Sequence, residues 1–116
     1  MKRIFLTDDH AAFRKALAFV IEREPGYRVT AQAGTVADAR ASGDGFDVAV
    51  VDLILPDGDG TEVIRELREA NPETRILSLS AAKNFDRALE AGADEVLGKD
   101  ISLSSVVKAV RRLAED

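Results

Sequence analysis

The sequence predicts an α/β fold: a five-stranded parallel sheet in the order 2-1-3-4-5, doubly wound, with helices on both faces. Three observations carry this expectation. Short apolar runs alternate five times with amphipathic helical patterns, which calls for parallel strands joined by right-handed crossovers. The central run, Val48-Ala49-Val50-Val51, is unbroken and mostly β-branched, as suits a strand covered on both faces. Acids follow the first and third runs, at Asp8-Asp9 and Asp52; in this strand order those ends flank the switch point, where ligands bind.

Each element has a local cause. Arg3 to Leu6 reads as a short strand stopped by Thr7-Asp8-Asp9-His10. Phe13, Ala16, Leu17, Val20 and Ile21 then follow helical spacing until Pro25-Gly26. Tyr27 to Ala33 alternates as a second strand, and Thr35 caps a short helix through Val36 and Ala39. Ser42-Gly43-Asp44-Gly45 is a loop. The central strand ends at Pro56 and the glycines after it, leaving Asp52 at the mouth, because an unpaired carboxylate within the strand would cost several kcal/mol. Thr61 is expected to cap a helix burying Val63, Ile64 and Leu67, which Asn71-Pro72 breaks. Arg75 to Leu79 is the fourth strand, ending at Ser80. A helix carrying Phe85, Ala88 and Leu89 stops at Gly92 with a left-handed cap. Glu95 to Gly98 forms the fifth strand, with Lys99 directly behind it. Ser102 opens a last helix with Leu103, Val106, Val107, Val110 and Leu113 on one face.

The 116 residues are read as one domain, 1–116, able to bury roughly two-thirds of the unfolded surface. A formal charge of −5 disfavours direct nucleic acid binding by this segment. The absence of cysteine excludes disulfides and thiolate metal sites. Ile4-Phe5-Leu6 is too short an apolar run for a signal peptide, so a cytoplasmic protein without membrane attachment is expected.

Topology brings three carboxylates, distant in sequence, into one crevice. Clustered carboxylates repel unless a cation or a raised pKa relieves them, and an oxygen-rich pocket with open positions suits Mg2+. Asp9 and Asp52 can bind the ion directly, with Asp8 acting through a water. A cation there also shields Asp52 from an incoming phosphoryl group, so that the carboxylate can attack in line. Lys99 can set a positive charge on the phosphoryl oxygens, and Ser80 can donate a hydroxyl to them. Taken singly these residues have bland readings: Asp52 a turn cap, Asp8 or Asp9 a helix cap, Ser80 a loop hydroxyl, Lys99 a solvated lysine, His10 an exposed residue at a helix start. Asp57-Gly58-Asp59-Gly60 is not a calcium loop, because Glu62 stands at the required glycine and Arg68 at the bidentate acid.

Asp8-Asp9, Asp52-Leu53-x-x-Pro56 with Asp59-Gly60, Ser80-Ala81, Ala91-Gly92-Ala93-Asp94 and Lys99-Asp100 together resemble the receiver domains of two-component response regulators, over essentially the full length. Thr7-Asp8-Asp9-His10 and Lys99-Asp100 look most like the NarL/FixJ branch. The resemblance implies a flavodoxin-like (CheY-like) fold and a phosphoacceptor, Asp52, charged by a sensor histidine kinase or phosphotransfer protein. It implies Mg2+ on Asp9, Asp52 and the backbone carbonyl of Ile54, with Asp8 in the outer shell. Ser80, Lys99 and the Ala81 backbone would bind the phosphoryl group, and Ser80 would move toward it on activation. Receivers of that branch usually join a helix-turn-helix DNA-binding domain, so the resemblance leaves two readings, an excised receiver with a C-terminal DNA-binding domain outside this chain, acting in transcriptional control, or a stand-alone receiver; a homodimer is compatible with either.

Two departures bear on switching. Val96 occupies the position of the family's switch aromatic, and Ser80 to Gly92 spans few enough positions to shorten the fourth helix. An altered output surface, working through the first and last helices, is therefore expected. The alternatives are a phosphorylation-independent pseudo-receiver that binds other proteins and a Mg2+-dependent phosphohydrolase with an Asp nucleophile. The hydrolase wants a second acid two positions after its nucleophile, where Ile54 stands. No turnover enzyme is expected, only assistance to the domain's own phosphorylation and dephosphorylation.

Overall fold

A computed structural model describes residues 1–115. Its main sheet consists of β1 (Lys2–Thr7), β2 (Tyr27–Ala33), β3 (Val48–Asp52), β6 (Arg75–Ser80) and β7 (Glu95–Gly98). The strands are all parallel, in the order β2-β1-β3-β6-β7, which is 2-1-3-4-5 when only this sheet is counted. Between β3 and the next crossover lies an antiparallel ribbon that the sequence reading lacked, β4 (Ile54–Leu55) paired with β5 (Gly58–Asp59). Two residues are too few to show a period of two, so Pro56 and the glycines read only as a turn.

Strand alternation divides the core into two layers. Ile4, Leu6, Val48, Val50, Leu77 and Leu79 pack beneath α1 (Ala11–Glu22) and α5 (Leu103–Glu115). Phe5, Ala49, Val51 and Ile76 pack beneath α2 (Val36–Arg40), α3 (Gly60–Ala70) and α4 (Phe85–Ala91). Every residue of β3 is buried, as the unbroken apolar run requires. The edge strand β2 alternates between exposed and half-buried positions until Ala33. No helix among the described residues is long and apolar enough to cross a membrane.

Several local expectations hold. Thr35 accepts a hydrogen bond from the Asp38 N–H at the start of α2, and Ser102 accepts one from Ser105 at the start of α5. Gly92 ends α4 with φ +121°, and α4 has seven residues, preceded by a 3-10 turn over Ala82–Asn84. Two expectations are corrected. Asp59, not Thr61, caps α3, its carboxylate accepting from the Thr61 N–H, while Thr61 itself is buried. Leu89 is 49% exposed; α4 instead buries Ala88 and Ala91, so it sits on the sheet with Leu89 turned away from the core.

Arg68 ties the far end of the sheet together. Its guanidinium donates to the carbonyls of Pro72 and Thr74 at 2.7 Å each, to that of Gly92 at 2.9 Å, and to Asp94 Oδ2 at 2.7 Å. Asp94 in turn accepts from the Ile76 N–H at 2.7 Å, so one ion pair joins α3, β6 and the approach to β7. Arg68→Ala is expected to destabilise the fold by about 2–3 kcal/mol, the loss of several charge-assisted bonds. Urea denaturation measures this, and Arg68→Lys should recover little because an ammonium cannot reproduce the planar fork.

At the opposite edge, the Tyr27 hydroxyl donates to Glu115 Oε2 at 2.5 Å, joining β2 to the end of α5. Burial and then the adjacent Glu115 push this phenol from 10.0 up to about 12. The folded state therefore holds the phenolic proton more tightly than the unfolded chain. The resulting stability is complete below pH 10 and is lost as pH rises through about 12. Tyr27 is the sole tyrosine, so phenolate absorbance in a pH titration reads it directly; an ordinary midpoint would contradict the contact.

Candidate functional site

The site forms where β1 and β3, neighbours in the sheet, end side by side. Asp8 follows the last residue of β1, and Asp52 is the last residue of β3. Ligand atoms of Asp8, Asp9, His10 and Asp52 all lie within 4.8 Å of one another. Their burial is graded: the side chain of Asp52 is 0% exposed, that of Asp8 7% and that of Asp9 33%. The cluster borders a cleft of about 210 Å³ lined by Asp8, His10, Phe13, Leu79 and Lys99. A larger cavity between α2 and α3 contains none of these residues.

The chain beyond Asp52 is fixed by short-range bonds. The Ile54 N–H donates to Asp52 Oδ1 at 3.1 Å, orienting the carboxylate, and the Gly60 N–H donates to the Leu53 carbonyl at 2.7 Å. The ribbon turn carries Asp57, whose two oxygens accept from the Val36 and Ala37 N–H groups at 2.7 and 3.0 Å. These backbone hydrogen bonds at the start of α2 hold the Asp57 carboxyl below its ordinary pKa. The acidic loop is thus two helix caps, Asp57 for α2 and Asp59 for α3, in keeping with rejection of the calcium-loop reading.

Charge in the cleft is only partly balanced. Burial raises the Asp52 pKa above the ordinary aspartate value, against the opposing pull of Lys99 and the Ile54 N–H. Lys99 Nζ donates to Asp52 Oδ2 at 2.7 Å. Burial lowers the Lys99 pKa, but the hydrogen bond and charge of Asp52 outweigh it, and the ammonium form is favoured. Three carboxylates facing one small volume with a single bound ammonium make a hard, oxygen-rich donor set that fits a Mg2+-sized cation.

The predicted residues fall into two groups. Asp8, Asp9, Asp52 and Lys99 converge as the topology argument requires. The Ser80 hydroxyl does not join them: it is 3.0 Å from the Ser78 hydroxyl, with Ser80 1% exposed. Ala81 is exposed at the head of the 3-10 turn, Ile54 is 60% exposed beside the mouth, and Val96 is half-buried against the α2–α4 layer. His10 is an exposed helix-start residue as read, yet its Nδ1 also lies 3.2 Å from Asp8 Oδ1 and 3.1 Å from Asp9 Oδ1. Adjacency to two acids was the available signal. The contribution of Ser78 had no sequence signal beyond its spacing of two from Ser80.

Known proteins are similar to this chain over nearly its full length. The family model of the response regulator receiver domain matches residues 4–111. The chain is 36% identical over 116 residues to the DNA-binding transcriptional activator DevR/DosR of Mycobacterium tuberculosis, a match covering 96% of this chain and 54% of that protein. The chain therefore spans about half the length of that relative. The signal receiver domain of NarL from Mycobacterium tuberculosis superposes with TM-score 0.84 at 30% identity, covering 98% of this chain and 96% of that one. A response regulator from Burkholderia pseudomallei, solved with a phosphorylated aspartic acid, calcium ion and citrate, superposes with TM-score 0.83 at 31% identity, covering 99% and 69% respectively.

Proposed function

We propose, because this chain belongs to the response regulator receiver domain family, that Asp52 accepts a phosphoryl group from a sensor histidine kinase or a phosphotransfer protein and that the new charge switches an output surface. The observation that carries this reading is the convergence of Asp8, Asp9 and Asp52 within 4.8 Å, with Lys99 2.7 Å from the Asp52 carboxylate. In the transfer an Asp52 oxygen attacks phosphorus as the phosphorus–nitrogen bond of the donor phosphohistidine breaks, and imidazole leaves. Asp9, Asp52 and the Ile54 carbonyl, with Asp8 through a water, would hold Mg2+, which would supply the positive charge that lets two anions meet. Lys99 passes from the carboxylate to the phosphoryl oxygens, and the Ser80 hydroxyl and Ala81 N–H complete their hydrogen bonding. The domain assists its own phosphorylation and hydrolysis and acts on no external substrate.

The family resemblance extends the same reading to a cytoplasmic place and a homodimer contact, and the DNA-binding activity of DevR/DosR supports an output through a DNA-binding domain outside this segment. With Val96 in place of a ring and α4 only seven residues long, the output runs through α1 and α5. Those two features also favour one competitor, a pseudo-receiver that binds partners without phosphorylation. Ile54 argues against the hydrolase, because it supplies no general acid.

Incubation with Mg2+ and acetyl phosphate, followed by intact-mass measurement, separates the three. A transient single phosphoryl adduct is the expected result. Rapid turnover of the donor would favour the hydrolase, and no adduct would favour the pseudo-receiver.

A further inference from the structure

Ser78 and Ser80 stand two apart on β6, so their side chains leave the same face of the sheet. That face is the α2–α4 layer, because Ile76 packs there while Leu77 and Leu79 pack in the other layer. Asp52 has the opposite parity: it alternates with Val51 of the α2–α4 layer and follows Val50 of the α1–α5 layer. The Ser80 hydroxyl therefore points away from the carboxylate, although Asp52 pairs in register with Leu79, the residue beside it. The two serine hydroxyls lie 3.0 Å apart, with Ser78 0% and Ser80 1% exposed. In register with Ser78, the neighbouring strands present Val51 on one side and Val96 on the other. Both neighbours are aliphatic, and among the described residues each serine hydroxyl has only the other as its side-chain hydrogen-bond partner.

We propose that Ser78 is a positioning residue that latches the Ser80 hydroxyl in the resting orientation, so that filling the Asp52 site with a phosphoryl group requires the buried Ser78–Ser80 bond to break. This rests on the reading of Ser80 as a phosphoryl ligand. The resting state then satisfies both hydroxyls, whereas the activated state satisfies Ser80 and leaves Ser78 without a partner between two valines. An unsatisfied buried hydroxyl is costly, so the latch opposes activation. With Val96 offering no ring to couple to the moving hydroxyl, a hydroxyl pair sets the resting equilibrium in this chain.

The test is the affinity for beryllofluoride, a phosphoryl mimic, measured with saturating Mg2+ by amide NMR or calorimetry, beside the affinity for Mg2+ alone. Ser78→Ala should tighten mimic binding about three- to tenfold, the worth of one buried hydrogen bond, and leave Mg2+ affinity unchanged. Ser78→Thr, which keeps the hydroxyl, should return toward the parent value. In a Ser80→Ala background, Ser78→Ala should have no effect on the mimic, because the latched group is gone. If Ser78→Ala does not fold, Ser78→Cys, nearly isosteric and a weak donor, replaces it with the same expected direction. Unchanged or weaker mimic binding in Ser78→Ala, or an equal effect with and without Ser80, overturns the latch while leaving Ser80 as a ligand. If Ser80→Ala leaves mimic affinity untouched in the Ser78→Ala background, where no latch offsets the lost contact, the assignment of Ser80 fails and the latch fails with it.

Discussion

Asp52→Asn should reduce phosphoryl incorporation from acetyl phosphate by on the order of 10³-fold or more, the effect of deleting a nucleophile. It should do so without unfolding the protein. Asn is nearly isosteric and can still accept the Ile54 N–H bond at the mouth of β3. The carboxylate it replaces is fully buried and faces Asp8 and Asp9, with burial raising its pKa above 3.8. A raised folded-state pKa means that the folded protein binds this proton more tightly than the unfolded chain does. The ionised group therefore costs stability, increasingly as pH rises from 3.8 to the folded value and constantly above it. At neutral pH, in metal-free buffer, Asp52→Asn should raise the melting temperature by a few degrees. Labelling that survives the substitution would move the acceptor to another residue, and a lowered melting temperature would mean that the Lys99–Asp52 pair outweighs the burial of the charge.

Gly60→Ala should be the most damaging small substitution near the site. A Cβ on Gly60 would lie 2.1 Å from the Asp52 carbonyl oxygen and 2.7 Å from the Leu53 Cα. Both obstacles are backbone, so no rotamer change relieves them. Either the first turn of α3 or the mouth of β3 must move, and the 2.7 Å bond from the Gly60 N–H to the Leu53 carbonyl is lost with it. A cost of about 2–4 kcal/mol is expected, above the usual range for overpacking a side-chain core. Mg2+ affinity should fall as well, because the displaced segment carries Asp52. Arg68→Ala is the control: it removes comparable stability from the far end of the sheet and should leave Mg2+ affinity intact. A Gly60→Ala protein of parental stability and Mg2+ affinity would show that the contact yields at no cost.

The fold was legible because its determinants are periodic and local. A short, mostly β-branched apolar run bounded by turn residues reads as a strand buried on both faces, and α5 carries its buried residues at helical spacing over thirteen residues. The acids were legible because the strand order joins the ends of β1 and β3, so identity and topology together placed Asp8, Asp9 and Asp52. Features set by long-range contacts were not. Asp57 caps α2 from about twenty positions away, and nothing in Asp57-Gly58-Asp59-Gly60 specifies which N–H groups its oxygens will meet. The exposure of Leu89 follows from how α4 sits on the sheet, which its own periodicity leaves open. The apolar run placed Ser80 at the end of β6 but left the resting direction of its hydroxyl open, since a side chain at a strand end can turn toward the cleft or back along its own strand. The buried bond to Ser78 settles that choice.

The proposed phosphotransfer requires first that the acids following β1 and ending β3 share one divalent cation. Titration with Mn2+, followed by paramagnetic broadening of backbone amide signals, tests this directly. The amides of Asp8, Asp9, Asp52 and Ile54 should broaden together and saturably, and excess Mg2+ should restore them. Broadening centred on Asp57 to Asp59, or no saturable broadening near Asp52, would contradict it.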